Sequence, residues 1–504
     1  MDVRQVAEDA LTNKFYLPNI GYLDLGAPLN WAVELGAAAN SKRLWLHSLV
    51  FVHALLLMGR KETKDKRYVT HAVFILKSYF SDFEVDNRSN ELSWGDEHAV
   101  ANRLFVLCAV LFESIAHRDI DLPDSWLIYL IEQHAEWLLD DSHYVKNNHG
   151  LMMDVALVQA SLLLYDLDNK ICSEWISVSV ARLEEMLDQT FDSSGCCNEN
   201  SPAYHFVNYS LFSSVVMFFD DYNIPYNKLK WISVLGLARE VGQILIRSDG
   251  TIPLIGDSEE QIGTFFPVAP EPRYGVACYP DSGLFVANLK DCYFTLRCGG
   301  SSFSHRHIDD SSVTLWLDGR DFIVDAGLYN YDISDKMRRW LLSSRSHSGF
   351  YIDSASDVRF VDFDGPSALG RIYGFERSDD GVFVVRCAHY LSAECAVNRT
   401  IEYLGGAIAI QDSFKSRVAV KWRQQFLFHP ECVICVSSDG KEAEIAHGKS
   451  AVRLRLASDG HDFKIGKGYY SRRFMHIEDA PMIFVAGEGS ECSISTEILL
   501  HGSI

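Results

Sequence analysis

The periodicity of apolar residues changes once along this chain of 504 residues, close to Gly256. Before that point, apolar residues recur every three or four positions in segments of roughly 12 to 20 residues, which predicts amphipathic helices. After it come short runs rich in β-branched and aromatic residues, separated by turn sequences such as LGG at 404–406 and SDG at 438–440, which predict antiparallel hairpins. A chain of this length also exceeds one ordinary core. The sequence therefore predicts a helical domain followed by a β domain.

The helical part contains about eight segments with helical periodicity. They are residues 45–57, 71–80, 97–115, 126–139, 151–164, 175–187, 209–219 and 229–246. Short polar links join them, so neighbouring helices should be antiparallel, in either a solenoid or a ring. The sequence shows no fixed-length repeat, and periodicity alone does not choose between the two.

The β part contains eight short runs with the composition of strands. They are residues 283–289, 292–296, 312–317, 322–324, 382–387, 407–411, 433–436 and 451–456. We expect a helical domain over residues 1–270 and an antiparallel β-sandwich over residues 275–504.

Composition excludes several classes of function. A net charge of −22 argues against nucleic acid or an anionic membrane as the main partner. No run approaches the ~20 apolar residues of a membrane span, and the N-terminal residues lack the apolar region of a signal peptide. The twelve cysteines have no disulfide-framework spacing and are expected to be reduced. These features predict a cytoplasmic protein, or an exported one if a signal peptide has been removed.

Potentially reactive side chains are most concentrated at residues 303–331, FSHRHIDDSSVTLWLDGRDFIVDAGLYNY. His305 and His307 are two positions apart, so in an extended segment both imidazoles would project from one face together with Asp309. Two imidazoles and a carboxylate could bind a metal or transfer a proton. Because short histidine motifs are common, a surface hairpin with incidental histidines is the alternative.

Three motifs in the same order resemble those of the heparinase II/III-type polysaccharide lyases. HRHID at 305–309, followed by an apolar run and DAG at 325–327, resembles the start of that family's β domain. NNHG at 147–150 and ENSPAYH at 199–205 resemble two segments of its helical domain. Weaker matches extend the resemblance over most of the chain, at 252–258, 345–347, 399–401 and 411–412.

The resemblance implies an incomplete α/α toroid followed by a β-sandwich, and β-elimination as the reaction. In that reaction a base removes the C5 proton of a uronate and the C4 oxygen leaves. By resemblance, Asn148 and His149 neutralise the uronate carboxylate. Tyr204 acts as base and acid, and His305 is a second proton-transfer group, in a cleft between the two domains. Asn148 could instead cap the helix that follows it, and a phenol with a reference pKa of ~10 needs neighbouring positive charge to ionise near neutrality.

The resemblance also implies a structural Zn²⁺ held by His307, Asp325 and His347. This donor set suits zinc without excluding other divalent ions. Strand geometry gives no independent support, because a simple hairpin places Asp325 opposite the start of the preceding strand, far from His307. The metal site therefore requires the segment 305–309 to loop back.

An acidic polysaccharide or oligosaccharide is the implied substrate, and a chain of this net charge needs a locally basic cleft to hold it. Basic residues near the motifs are Arg103, Lys146, Arg306, Arg338, Arg339 and Arg345. We predict substrate contacts from Arg103, Arg345 and His98. Arg103 and His98 could equally form a buried structural pair.

Three other functions compete with this interpretation. A glycoside hydrolase on the same helical ring would use two carboxylates. The candidates are Asp96, Glu97, Asp154 and Glu199. A non-catalytic glycan-binding protein of exopolysaccharide biosynthesis would keep the architecture, and a metal oxygenase built on the histidines of 305–307 would leave the helical half without a role.

The sequence also departs from the family at two places. Ser348 follows His347 where relatives usually have asparagine, and Trp340 lies where some alginate-type relatives have a second tyrosine. The sugar, the fourth metal ligand, endo or exo cleavage and the oligomeric state therefore stay open.

Overall fold

The protein is described from a computed structural model. The described residues are 2–36, 39–63, 65–117, 123–260, 271–300, 304–352, 370–392, 395–458 and 460–500. They form two compact units, the first comprising Met1–Asp188 with Asp221–Tyr226 and the second comprising Gln189–Asp220 with Asn227–Ile504.

The first unit is built from helices and one small hairpin. The elements are α1 (Val3–Ala10), β1 (Lys14–Leu17), β2 (Gly21–Asp24), α2 (Ala39–His47), α3 (Val52–Lys61), α4 (Arg67–Asp82), α5 (Glu91–Trp94), α6 (Glu97–His117), α7 (Asp124–Leu139), α8 (Asn148–Leu164) and α9 (Asn169–Thr190), whose last two residues belong to the second unit. Helix α6 packs against α7 and α8, and α3 packs against α4. Large aromatic side chains such as Trp31 and Tyr79 are almost fully buried in the shared core. Burial of each such side chain contributes on the order of 2 kcal/mol.

One of the predicted helices is divided into two helices in the structure. The segment 45–57 was expected to be continuous, but α2 ends at His47 and α3 begins at Val52. Between them Leu49 has a φ of 56°, a left-handed conformation that a right-handed helix cannot contain. The side chain of Leu49 is fully buried, so the residue at the break contributes to the core.

Two expectations from composition can be compared with the described residues. Among these, helix α6 is long and apolar enough to cross a membrane over Glu97–Ala116, but 72% of that window is buried inside the protein. A helix of this kind is typical of a protein core, so it is weak evidence for a span. The eleven cysteines whose side chains are described are all free, as expected for reduced thiols.

The described residues of the second unit include three α-helices and two antiparallel sheets. The helices are α10 (Pro202–Asp221), α11 (Lys228–Leu245) and α12 (Lys336–Leu342). The smaller sheet has the order β3 (Gly275–Tyr279), β4 (Leu284–Asn288), β5 (Cys292–Arg297), β6 (Ser312–Leu317), β7 (Arg320–Ile323).

The larger sheet has ten described strands. Eight of them follow the order β13 (Val433–Val436), β14 (Glu442–His447), β15 (Ser450–Leu456), β17 (Glu478–Leu499), β12 (Ala407–Leu427), β11 (Cys395–Tyr403), β10 (Phe383–Ser392), β9 (Gly370–Arg377). Strand β16 (Lys464–Tyr470) pairs with β17, and β8 (Phe350–Ile352) pairs with β12.

The core of the second unit lies between the two sheets. Strand β4 shows how this arises, because alternate side chains of a strand point to opposite faces. Phe285 and Ala287 face the larger sheet, whereas Leu284 and Val286 pack against α10 and α11 on the outer face of the smaller sheet. Every residue of β4 is therefore buried, and α10 is held against the sandwich.

The predicted order of a helical part followed by an antiparallel β-sandwich is confirmed, and each of the eight predicted β runs overlaps a strand. The compact units nevertheless divide after Asp188, because α10 and α11 pack on the smaller sheet. The predicted domain boundary lies between residues 270 and 275. Residues 261–270, which lead up to it, are outside the described residues, so the boundary stays a prediction.

Candidate active site

The motif ENSPAYH at 199–205 leads into α10 of the second unit, and its last four residues form the first turn of that helix. Pro202 is the first helical residue, where its fixed φ and missing N–H are tolerated. The Ser201 hydroxyl accepts the N–H of Tyr204 at 3.3 Å and pairs with the Ser258 hydroxyl at 2.8 Å. This hydrogen bond caps the helix and fixes Tyr204 on its first turn.

The loop that carries His305 closes on this turn around a glycine. The side-chain amide of Asn200 donates to the carbonyl of Ser304 at 2.9 Å, one residue before His305. Gly256 has a φ of 58°, and a Cβ there would lie 2.6 Å from the Asn200 carbonyl oxygen and 2.8 Å from that of His305. Since Cβ atoms do not approach backbone that closely, only glycine fits at the point where the two segments meet.

Replacing Gly256 by alanine should therefore lower both stability and activity, because the backbones of Asn200 and His305 must move apart. Gly250 is a matched control, since its φ is 83° but a Cβ there would meet nothing within 4 Å. The left-handed conformation alone costs an alanine about 1–2 kcal/mol. We expect Gly250→Ala to lose about that much with normal activity, and Gly256→Ala to lose more in thermal melts and to lose activity. Equal behaviour of the two variants would contradict the close approach.

Tyr204 and His305 lie together in the structure. Their rings are stacked, with centroids 3.4 Å apart and an interplanar angle of 16°. The Tyr204 hydroxyl is 2.8 Å from the hydroxyl of Tyr331. His305 has a φ of 55°, a left-handed conformation that is uncommon for a residue with a side chain and is found more often at functional sites.

A single buried carboxylate holds this histidine and its neighbour. Asp257 Oδ2 contacts His305 Nδ1 at 3.2 Å, and Oδ1 contacts His307 Nε2 at 2.8 Å. Arg338, from α12, donates to the same two oxygens at 2.6 and 2.9 Å. On the other side of His305, Nε2 lies 3.5 Å from a carboxylate oxygen of Glu199. Asp257 therefore joins the proposed catalytic histidine, a proposed metal ligand and a buried cation.

The charges around this cluster shift two pKa values in opposite directions. Burial alone would raise the pKa of Asp257, but Arg338 and the two histidines lower it well below its ordinary value. Burial raises the pKa of Tyr204; the Tyr331 hydroxyl opposes this, and the carboxylates of Asp257 and Glu199 raise it further. The cation beside the cluster, Arg338, is neutralised by Asp257. Tyr204 is therefore a neutral phenol in the free protein.

Sequence reasoning missed Asp257 and Tyr331 as members of this cluster. Asp257 lies in the weakly matching segment 252–258, and Tyr331 ends the motif-rich stretch 303–331. Neither position carries a local signal, because both roles arise from contacts with residues far away in the chain. The sequence therefore indicated the two segments but not the individual residues within them.

The predicted residues of the first unit form a second cluster. Asn147 caps α8, its side chain accepting the N–H of His149 at 2.8 Å, so the alternative that Asn148 is the cap is wrong. His149 Nδ1 lies 2.8 Å from Glu97, and its ring lies 4.5 Å from that of His98. Burial, and then the nearby His149, lower the pKa of His98 to about 3. His98 is therefore a neutral neighbour of His149.

The two arginines predicted to contact substrate differ in placement. Arg103 is 1% exposed, and its guanidinium donates to the carbonyls of His47 and Ser93 at 2.6 and 2.7 Å and to His134 Nε2 at 2.8 Å. A guanidinium satisfied in this way inside the helical core has a structural role, which corrects the expected substrate contact. Arg345 is exposed, in the 3₁₀ turn Ser344–Ser346, and its role stays a prediction.

The positive charges expected around the motifs are largely balanced by acidic side chains nearby. Three of the candidate cations form ion pairs. They are Lys146 with Glu185 at 2.5 Å, Arg306 with Asp310 at 3.1 Å and Arg338 with Asp257 at 2.6 Å. Arg339 donates instead to two backbone carbonyls. These contacts offset much of the positive charge that the sequence places around the motifs.

The three predicted metal ligands come together in the second unit. Each of His307, Asp325 and His347 is buried, and one potential ligand atom from each lies within 4.8 Å of the others. His307 Nδ1, Asp325 Oδ1 and His347 Nε2 are buried without a hydrogen-bond partner among the described residues. Buried polar atoms nearly always have partners. These residues therefore fit a divalent cation, and Asp257 is the outer carboxylate that orients His307.

The segment 305–309 reaches this arrangement by looping back, not by extending. The expectation that His305, His307 and Asp309 share one face of a strand is wrong, because His305 has a positive φ and β6 begins only at Ser312. Asp309 is buried 3.6 Å from Arg297 instead. Asp325 does lie opposite Ser312, whose hydroxyl is 3.4 Å from Oδ2.

Comparisons with known proteins agree with this fold over its whole length. The family described as Heparinase II/III N-terminus matches residues 2–261, and the one described as Heparinase II/III-like, C-terminal, matches residues 271–498. The solved structure of a heparinase III is similar with a TM-score of 0.82 and 16% identity, covering 99% of this chain and 84% of that one. The heparan sulfate lyase HepC from Pedobacter heparinus is similar with a TM-score of 0.71 and 16% identity, covering 100% and 83%.

At these identities the structural similarities establish a shared fold and nothing finer. Comparison with curated protein sequences found no match. The two family matches account for almost the entire chain, in the order that the three motifs predict. The chain belongs to the heparinase II/III family of polysaccharide lyases.

Proposed function

We propose that this protein cleaves a uronate-containing polysaccharide by β-elimination. The single observation that carries the proposal is the stacked pair of Tyr204 and His305, two proton-transfer side chains contributed by separate motifs of the chain. The reaction requires a base at C5, neutralisation of the carboxylate and an acid for the C4 oxygen. A tyrosine, a histidine and an asparagine–histidine pair can provide these three functions.

Tyr204 is the group proposed to exchange protons with the sugar. Its hydroxyl is protonated in the free protein, which suits the acid that protonates the departing C4 oxygen. To act first as a base it has to release that proton, and the Tyr331 hydroxyl at 2.8 Å can accept it while passing its own proton to solvent, to which Tyr331 is exposed. A phenolate formed there would also accept a hydrogen bond from Tyr331. His305, oriented by Asp257 and Glu199, is the second proton-transfer group.

Asn148 and His149 are the groups proposed to neutralise the uronate carboxylate. Because Asn147 provides the helix cap, the Asn148 amide does not take part in the capping hydrogen bond. Glu97 contacts His149 at Nδ1, which leaves Nε2 to donate to a carboxylate when the ring is protonated. Both side chains lie at the N-terminus of α8, where the helix dipole also favours a bound anion.

A structural metal ion is the proposed cofactor, with zinc favoured by two imidazoles and one carboxylate. His307, Asp325 and His347 would hold it, and it would fix the 304–309 loop that carries His305. It takes no part in proton transfer. We expect purified protein to contain this divalent ion, and a chelator to lower the melting temperature strongly. Absence of a stoichiometric ion, with an unchanged melting temperature in chelator, would contradict the assignment.

The hydrolase alternative loses support from the placement of its four carboxylates. Asp96 accepts the N–H of Ala99 at the start of α6. Asp154 is fully buried and accepts the Tyr144 hydroxyl at 2.8 Å, and burial raises its pKa well above the ordinary value. Glu97 and Glu199 each contact a histidine. Each of the four carboxylates is held by these contacts, so none of the four is placed as the acid or the base of a hydrolase.

The test is incubation with a panel of uronate polysaccharides, including heparan sulfate because the HepC relative is a heparan sulfate lyase. A rise in ultraviolet absorbance from the unsaturated product identifies a lyase. New reducing ends without that absorbance would identify a hydrolase. Binding without either would favour a glycan-binding protein. The last two results would overturn the proposal.

A further inference from the structure

A second group of potential metal ligands lies in the β-sandwich and shares no residue with the first. His429 and Glu431 belong to the turn between β12 and β13, and His447 is the last residue of β14. One nitrogen or carboxylate oxygen from each residue lies within 4.8 Å of the others. Both histidines are buried, whereas Glu431 is exposed to solvent. The motifs that suggested the function do not include any of these three residues.

His447 is oriented in the way typical of a metal-binding histidine. Its Nδ1 lies 2.8 Å from the backbone carbonyl of Asp321, so Nδ1–H donates to that oxygen. Nε2 then keeps a lone pair, yet it faces a carboxylate oxygen of Glu431 at 3.3 Å. Two acceptors at this distance repel each other unless a cation or a proton lies between them. A backbone carbonyl that holds the other ring nitrogen is the usual outer partner of a metal-bound imidazole.

His429 adds a second imidazole to the same place. Its ring is stacked on that of His447, with centroids 4.9 Å apart and an interplanar angle of 15°. Its Nδ1 accepts the backbone N–H of Glu431 at the long distance of 3.3 Å, so Nδ1 keeps the lone pair that a metal ion would take in place of this contact. A metal ion at this place would engage one nitrogen of each of the two stacked rings.

The cluster lies where the edges of the two sheets meet. Strand β7 is the last strand of the smaller sheet and contributes the Asp321 carbonyl. Its Phe322 carbonyl also accepts the N–H of His429 at 3.0 Å. Strand β13, which follows the turn, is the last strand of the larger sheet and pairs with β14. An ion held here would join the β13–β14 hairpin to the turn that is hydrogen-bonded to β7.

We propose that His429, Glu431 and His447 bind a second divalent transition-metal ion, of the Zn²⁺ or Co²⁺ type, which joins the two sheets at this edge. Zinc–nitrogen distances of ~2.0–2.1 Å place ligand atoms within about 4 Å of each other. The three ligand atoms all lie within 4.8 Å of one another, and the pair of His447 Nε2 and Glu431 Oε2 is already at 3.3 Å, so small side-chain movements would bring them to such separations. Three protein ligands leave a fourth position for water. The proposal does not depend on the activity of the protein.

The test compares zinc stoichiometry in the wild type and in Glu431→Ala, using the full chain and Zn²⁺ titrated by calorimetry after chelator treatment. Glu431 is exposed, so its removal should leave the fold intact. We expect the variant to bind one zinc ion fewer than the wild type, whether or not the His307–Asp325–His347 site is filled. Loss of an outer partner alone costs about 10–100-fold in affinity, so loss of a ligand should cost at least tenfold.

A matched control is Glu478→Ala, because Glu478 also contacts a histidine, His476 at 3.6 Å, and the described part of the chain offers no third metal ligand beside that pair. The Glu478→Ala variant should bind as many zinc ions as the wild type. Added Zn²⁺ should raise the melting temperature of His347→Ala, and this rise should disappear in His347→Ala combined with Glu431→Ala. Equal stoichiometry and affinity in the wild type and Glu431→Ala would overturn the proposal and leave His447 and Glu431 as a hydrogen-bonded pair.

Discussion

Replacing Tyr204 by phenylalanine should lower turnover about 10²–10⁴-fold, the usual contribution of a proton-transfer group. The variant loses only the hydroxyl, so the ring can keep its stacking contact with His305, and the melting temperature should stay close to that of the wild type. Formation of the unsaturated product, followed by ultraviolet absorbance, measures the first effect. A thermal melt measures the second.

Tyr331→Phe is the matched control for this variant. It removes the other hydroxyl of the same 2.8 Å hydrogen bond and leaves Tyr204 in place. Its ring can still lie over Arg338. We expect a smaller loss of turnover than for Tyr204→Phe, because Tyr331 acts through Tyr204. If Tyr204→Phe keeps more than about a tenth of wild-type activity, Tyr204 is not the principal proton-transfer group.

The sequence predicted strands well where the strand was a short apolar run. Where a strand mixed apolar and polar residues, the sequence predicted only part of it or none. Strand β12 was recognised only over residues 407–411, although it runs for 21 residues to Leu427. Strand β17, with 22 residues, was missed because it includes Pro481 and several glycines and charged residues. Its pairing with β12 supplies the hydrogen bonds that hold it in the sheet, and no local propensity contains that information.

The candidate site shows the same division between local and distant information. Motifs indicated the segments that carry Tyr204 and His305, but their stacking depends on Gly256, where the two backbones meet. The metal ligands could be named only by resemblance, because His307 reaches Asp325 through a loop that strand geometry does not predict. Asp257 was missed since its role consists entirely of contacts with His305, His307 and Arg338.

Replacing Asp257 by asparagine should lower the free energy of unfolding, metal affinity and activity together. Arg338, 6% exposed, would lose the charge that balances it, and breaking a buried ion pair typically costs about 3–5 kcal/mol. His307 would lose its outer carboxylate, which lowers metal affinity about 10–100-fold. His305 would lose the contact to Nδ1 that orients it. Denaturant unfolding, zinc titration in the Glu431→Ala background and turnover measure the three effects.

Asp412→Asn separates the specific effects from general damage to the fold. Asp412 forms a bidentate ion pair with Arg399 at 2.6 and 2.7 Å, and both residues are fully buried in the second unit. Its loss should cost stability on the same scale, but it contacts neither His305 nor His307. We therefore expect zinc affinity close to that of the wild type in the folded Asp412→Asn protein. If the two variants lose stability equally and zinc affinity equally, Asp257 acts only by holding the fold. A selective loss of zinc affinity in Asp257→Asn is the result expected if one carboxylate orients both His305, the proposed proton-transfer group, and His307, the proposed metal ligand.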